Sequence, residues 1–313
     1  MMTYRYITLA AVALTLAACS QDEDFAPQND SDAVRINATI GTMPQTRLAY
    51  DDVTGETTFE SGDQIQVANT ERTTKNKATY TYNGSSWSTT ETLVWNGSST
   101  NQFEAYYPVT DGTSFKAFTL PVEQNTGELL AAADWMTIRT NEMEKPGDKT
   151  LELKFDHMLT KVTVRFYKWN DEFSNPEAVE ITEPTIYSKG TAITAAYSQD
   201  ATTGATTATI TSEGESTGIS PMEGETNSML TFTAIVAPDT YLASDNFMTF
   251  NIDEEPFTVL AKSTEFTDGL HLQPGSYYTF DLTVGKNEVE ITGVNVTPWT
   301  EKDIDGGVAE LVK

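Results

Sequence analysis

Basic charge, thiols and imidazoles are what this sequence has least of. Its 313 residues carry 19 lysines and arginines against 46 aspartates and glutamates, for a formal net charge of −27, with two histidines and one cysteine. Charge of that sign and size repels phosphate backbones and anionic lipid, which excludes a nucleic-acid partner. One cysteine cannot form an intrachain disulfide, so any core is held by packing alone. His157 and His271 lie far apart, and His157 sits inside an alternating apolar stretch, where a packed core residue is expected. No Gly-x-Ser-x-Gly nucleophile turn, phosphate loop, dinucleotide fingerprint or zinc spacing occurs. Asp303, Asp305 and Gly306 imitate the opening of a calcium loop, but the sequence stops before the glutamate twelve places on. The chain therefore reads as a non-enzyme with no cofactor and no metal site. Heptads are absent, and Glu128 to Trp135 is the one candidate helix.

A long apolar run occurs only at the amino terminus, from Ile7 to Leu16 behind Arg5, well short of the ~20 residues that a spanning helix needs. It closes on Leu16-Ala17-Ala18-Cys19, which resembles a bacterial lipobox. Residues 1–18 then form a lipoprotein signal peptide, and Cys19 becomes a lipidated first residue, tethered to outer-membrane lipid through its acyl chains. Ser20-Gln21-Asp22-Glu23-Asp24 resembles the acidic surface-export signal of such lipoproteins, giving an expected address at the outer membrane and cell surface. Removing residues 1–18 leaves 295 residues and takes away one positive charge, moving −27 to −28. That length exceeds the ~100 residues of one β-sandwich and implies two domains.

Residues 19–32 are polar and acidic, interrupted by Pro27, and read as a tether. From residue 33 onward period-2 alternation takes over, so the body is all β. Val34, Ile36, Ala38 and Ile40 share one face of a first strand. Tyr80 and Tyr82 lead into Asn83-Gly84, a hairpin signal, with Trp87 on the return. Phe103, Ala105 and Tyr107 alternate up to Pro108, which marks a strand end or an edge. Leu151, Leu153, Phe155, His157 and Leu159 are odd-numbered, whereas Val162, Val164 and Phe166 are even, so a turn or bulge is required near Thr160-Lys161. The same parity change from Val289 and Ile291 to Val294 and Val296 implies a bulge at Gly293. The polar stretch Asn170 to Pro184 is the candidate junction, giving an amino-terminal sandwich over 33–170 and a carboxyl-terminal one over 171–313. Ser198 to Gly218, rich in threonine, serine and glycine, reads as a long exposed hairpin or loop.

Five segments resemble the fimbrillin superfamily, in particular the fimbrillin-like (Mfa-like) lipoproteins that build type V pili. They are Phe59-Glu60-Ser61-Gly62-Asp63-Gln64-Ile65-Gln66-Val67, Phe103 to Pro108, Leu153 to Val164, Pro274 to Phe280, and Val296-Thr297-Pro298-Trp299. They occur in the family's order over nearly the whole mature chain. The resemblance implies two tandem transthyretin-like β-sandwich domains and a structural or adhesive fimbrium subunit whose partners are other pilin subunits and a host or bacterial surface ligand.

The resemblance also implies maturation by a trypsin-like surface protease. Arg47, in Met43-Pro44-Gln45-Thr46-Arg47-Leu48 behind the first strand, is the expected cut site. Arg35 lies within the strand and is shielded by its ladder. Val34, Ile36, Ala38 and Ile40 then belong to an exchangeable strand worth about 10 kcal/mol in burial and hydrogen bonds, which an incoming subunit replaces by β-strand addition. Val308, Glu310 and Val312 mark a candidate donor strand, with an ordinary last strand as the open alternative. A second reading keeps the chain monomeric, as a surface glycan-binding lipoprotein whose Trp87, Trp95, Trp135, Trp169 and Trp299 stack on sugars.

Overall fold

The structure, a computed structural model, describes residues 32–41, 58–97, 99–170, 173, 179–200, 206–226, 228–263, 266–286 and 288–299. Cys19, Arg47, Val308, Glu310 and Val312 lie outside the described residues.

Strand is the dominant regular element among the described residues, with one short helix. The first half contributes β1 (Arg35–Ile40), β2 (Gln64–Asn69), β3 (Lys77–Tyr82), β4 (Trp87–Ser88), β5 (Phe103–Tyr107), β6 (Ala117–Thr119), a helix α1 (Gly127–Ala132), β7 (Met136–Arg139) and β8 (Thr150–His157). The second half holds β9 (Thr160–Trp169), β10 (Ile181–Ser188), β11 (Ala192–Gln199), β12 (Thr206–Glu213), β13 (Thr217–Ile219), β14 (Met222–Thr226) and β15 (Met229–Val236). It continues through β16 (Thr240–Leu242), β17 (Asn246–Ile252), β18 (Glu255–Leu260), β19 (Gly269–His271), β20 (Ser276–Val284) and β21 (Val289–Pro298).

Alternation builds the first core. Leu151, Leu153 and Phe155 of β8 and Phe103, Ala105 and Tyr107 of β5 are buried, with the residues between them turned outward. These strands join a seven-stranded sheet in the order β1-β8-β7-β5-β2-β3-β4, which rolls until its edge strands β1 and β4 touch. The predicted hairpin at Asn83-Gly84 joins β3 to β4: Gly84 takes a positive φ of 93°, and the Asn83 carboxamide oxygen accepts from the amides of Ser85 and Ser86. Pro108 ends β5, which is an interior strand and not an edge.

A second core packs between a four-stranded sheet, β13-β10-β17-β18, and a five-stranded one, β14-β15-β9-β20-β21. Beside them lie a three-stranded sheet, β12-β11-β6, and the pair β16-β19. The parity change after Leu159 has its cause here. Met158 and Leu159 separate two strands that never pair: β8 bonds to β1 and β7, whereas β9 bonds to β15 and β20. The break thus carries the chain from one sheet into another. The bulge expected at Gly293 is present, since Asp281 pairs with Gly293 while Leu282 pairs with Ile291.

The two cores are stitched together. β6 pairs with β11, and Phe118, Leu120, Leu130 and Trp135 belong to the second core although they precede β7 in the chain. Thr126 caps α1 by accepting from the Leu129 amide, and Gln124, fully buried, bonds both the amide and the carbonyl of Ile235. His157 at the end of β8 lies 2.8 Å from Asp134 and stacks on Trp299 with ring centroids 4.1 Å apart. The stretch Asn170 to Pro184 leads from β9 to β10, and both of those strands line the second core; the change of core falls earlier, between Phe155 and Met158.

Candidate functional site

The residues singled out at the first strand come together as a seam. Val34, Ala38 and Ile40 are buried and Ile36 is half-buried against the same cluster, which includes Ile65, Val67, Trp87, Leu93 and Phe155. Within that cluster Phe59 packs edge-on to Trp87 at 4.9 Å and to Phe155 at 5.7 Å. Among the described residues β1 has one ladder. It runs parallel to β8, from Arg35 opposite Thr150 to Ile40 opposite Phe155.

Its ends are held by more than the ladder. The Val34 amide donates to the Leu93 carbonyl at 2.9 Å, the Trp95 amide donates to the Asp32 carbonyl at 2.8 Å, and Ala33 bridges Val94. The buried Tyr80 hydroxyl donates to the Val34 carbonyl at 2.9 Å. Lys145 pairs with Asp32 at 2.6 Å. The Asp148 carboxylate accepts from the Thr150 amide, a bond that holds its pKa below the usual range. That turn sets Lys149 so that its carbonyl accepts from the Arg35 amide at 3.0 Å, and its neighbours open β8 beside β1. At the far end the Gly41 amide donates to the Phe155 carbonyl at 2.8 Å. Chemically the seam is a strand held by apolar burial and backbone bonds: among these groups none is arranged as a nucleophile with a base.

Asp63 borders the same core. It accepts from the Glu60 amide at 2.6 Å and from the Tyr107 hydroxyl at 3.2 Å, and burial nonetheless pushes its pKa up.

A profile of the fimbrillin-like family matches residues 46–299. The chain belongs to the fimbrillin-like family. A Bacteroides ovatus protein named provisionally as the fimbrium tip subunit Fim1C is 30% identical over 213 residues, 60% of this chain. This fimbrillin-like chain spans 40% of the length of that curated relative. Among solved structures, a provisionally named cell adhesion protein from Bacteroides uniformis superposes with a TM-score of 0.57 at 23% identity, over 86% of this chain and 99% of the other. Another from Bacteroides ovatus gives 0.53 at 15% identity, over 87% and 99%. At those identities the likeness is one of fold, the β-sandwich architecture described above.

The structure also places the residues of the glycan-binding reading. Trp87, Trp95, Trp135 and Trp299 are each 3% exposed or less, and Trp169 is half-buried against Phe166 and Phe173. Four of the five are core residues and form no stacking platform. The sequence reading missed Tyr80 as a contact of the first strand, the Leu93–Trp95 clamp and the identity of the flanking strand. Asn83-Gly84 marked Tyr80 only as a hairpin residue, and a parallel pairing between residues more than a hundred positions apart leaves no local signal.

Proposed function

We propose that this fimbrillin-like protein is a cell-surface subunit of a fimbrium, anchored first by lipid at Cys19 and assembled by exchange of its first strand. The observation that carries the reading is the position of β1: among the described residues it is an edge strand with one ladder, packed on the first core of a rolled sheet. Inward side chains at about 1–3 kcal/mol each and ladder bonds near 1 kcal/mol make the strand worth about 10 kcal/mol. That rivals the 5–15 kcal/mol stability of a whole domain. An emptied groove therefore demands a substitute. Cleavage after Arg47 by a trypsin-like protease separates the strand and its lipid from the body, which ends the advantage of covalent attachment. A neighbour's Val308, Glu310 and Val312 segment is the proposed replacement. The name of the Bacteroides ovatus relative supports the fimbrial part of this reading.

Limited trypsin treatment of the purified chain tests it. Amino-terminal sequencing should give Leu48, and a ladder of species resistant to denaturing detergent should follow. Cleavage at Arg47 that leaves a stable monomer with residues 32–41 still bound after dilution would sink the mechanism.

A further inference from the structure

Edge strands expose unpaired backbone groups, and proteins blunt them with charge, proline, bulges or brevity. Most edges here follow that rule. β4 has two residues, and β6, β13, β16 and β19 have three each. β1 carries Arg35, β14 carries Glu223 and Glu225, β18 carries Glu255 and Pro256, and β21 carries Glu290, a bulge and Pro298.

β12 breaks the rule. It is eight residues long and pairs with β11 from Gln199 opposite Thr206 to Ala192 opposite Glu213, and among the described residues no strand pairs with its other side. Residues 206–212, Thr-Thr-Ala-Thr-Ile-Thr-Ser, contain no charge and no proline, Glu213 at the hairpin base is the strand's one charge, and β11 behind them contains neither charge nor proline. In a chain that is 21% charged, the sixteen positions of β11 and β12 would be expected to hold about three charged residues, and they hold one. Thr207, Thr209 and Thr211 are exposed on one face, while Ala208 and Ile210 on the other face rest partly on the second core. The hairpin base is rigid: a Cβ on Gly190 would lie 2.5 Å from the Glu213 carbonyl oxygen, so only glycine permits this approach.

We propose that β12 is a homotypic interface, where a second copy of this chain adds its own β12 antiparallel across a two-fold axis. Two observations select this occupant. Alternate residues of an antiparallel strand direct both N–H and C=O outward, so the edge is complementary to itself, and its exposed threonines meet as cross-strand pairs. Two copies each carrying −27 repel over most of their surface, and a neutral stripe is where they can approach. The contact is independent of exchange at β1.

Sedimentation velocity of the purified chain tests the interface. The expected result is a concentration-dependent dimer that strengthens as sodium chloride rises from about 0.05 to about 0.5 M, because screening shortens the reach of the repulsion. Thr209→Lys combined with Thr211→Lys should weaken the dimer at least about tenfold, while Ala196→Lys, one strand inward on the same face, should change it less than about twofold. Hydrogen exchange should show β12 amides gaining protection with concentration, and circular dichroism should show both variants folded. A chain that stays monomeric at every salt concentration, or a dimer indifferent to the paired lysines, overturns the proposal.

Discussion

Shaving β1 while leaving the surface beneath it intact separates the proposed exchange from ordinary stability. Ile40 is 7% exposed and packs on the first core, so Ile40→Ala removes about 2–4 kcal/mol from the strand's own hold. At 1.4 kcal/mol per factor of ten, that is a loss of roughly 30- to 1,000-fold. A labelled peptide of residues 32–41, carrying the natural isoleucine, then competes with the tethered strand. At ~10 μM against an effective concentration of ~1 mM, the peptide starts at about a hundredfold disadvantage. The unaltered chain should therefore take up almost none. The variant should take up peptide to between about a quarter and nine-tenths of sites, read by fluorescence anisotropy. Ile65→Ala is the control. Ile65 is fully buried in the interior strand β2, within the core that tethered strand and peptide share, so its loss lowers the melting temperature but weakens both alike and leaves the peptide's disadvantage unchanged. Equal uptake by both variants, or none by Ile40→Ala despite a lowered melting temperature, refutes the reasoning.

Three further outcomes follow from named contacts. Tyr80→Phe deletes the hydroxyl that donates to the Val34 carbonyl, and should cost about 1–2 kcal/mol and raise amide exchange at Val34 and Arg35. His157→Leu leaves the Asp134 carboxyl buried without the partner of its one bonded oxygen; urea unfolding should show a loss of about 3–5 kcal/mol, and His157→Leu with Asp134→Leu should recover part of it. Burial raises the pKa of Asp63 in the fold, so the folded state binds its proton more tightly than the unfolded chain does, and the group's contribution to stability falls as pH rises from its ordinary value through the raised one. Asp63→Asn should therefore gain on the unaltered chain in melting temperature at pH 7 and lose that advantage near pH 4.

How much of this was legible in sequence depends on whether the deciding contact is local. Alternation alone identified the buried face of β1 and of β5, and parity located the bulge at Gly293 and, within a residue or two of the expected Thr160-Lys161, the break at Met158 and Leu159. It could not show that β8 and β9 belong to different sheets, because the same parity change serves a hairpin, a bulge or a crossing between layers. Burial on both faces of β9 was also hidden. Lys161 and Thr163 alternate with the apolar Val162 and Val164, yet both are buried, with Thr163 bonded to the hydroxyls of Thr233 and Tyr277. The passage of β6 and α1 to the second core rests on contacts such as Gln124 with Ile235, 111 positions apart, which no pattern of spacing reports.

Direction is the remaining property of the groove, and the ladder dictates it. A strand parallel to β8 places evenly spaced, slanted bonds against that partner, and places one carbonyl where the Tyr80 hydroxyl reaches it. A peptide with residues 32–41 in reverse order has the same composition and the same inward alternation. Run antiparallel to β8 it could seat Val, Ile, Ala and Ile over the same core, but its amides would fall between the acceptors that β8 offers. Hydrophobic burial alone would make the two peptides equivalent. Backbone register should instead make the reversed one bind the Ile40→Ala groove at least about tenfold more weakly, the equivalent of one or two net hydrogen bonds. Equal affinity would mean that the groove selects its strand by apolar pattern, and that neither β8 nor Tyr80 sets its polarity.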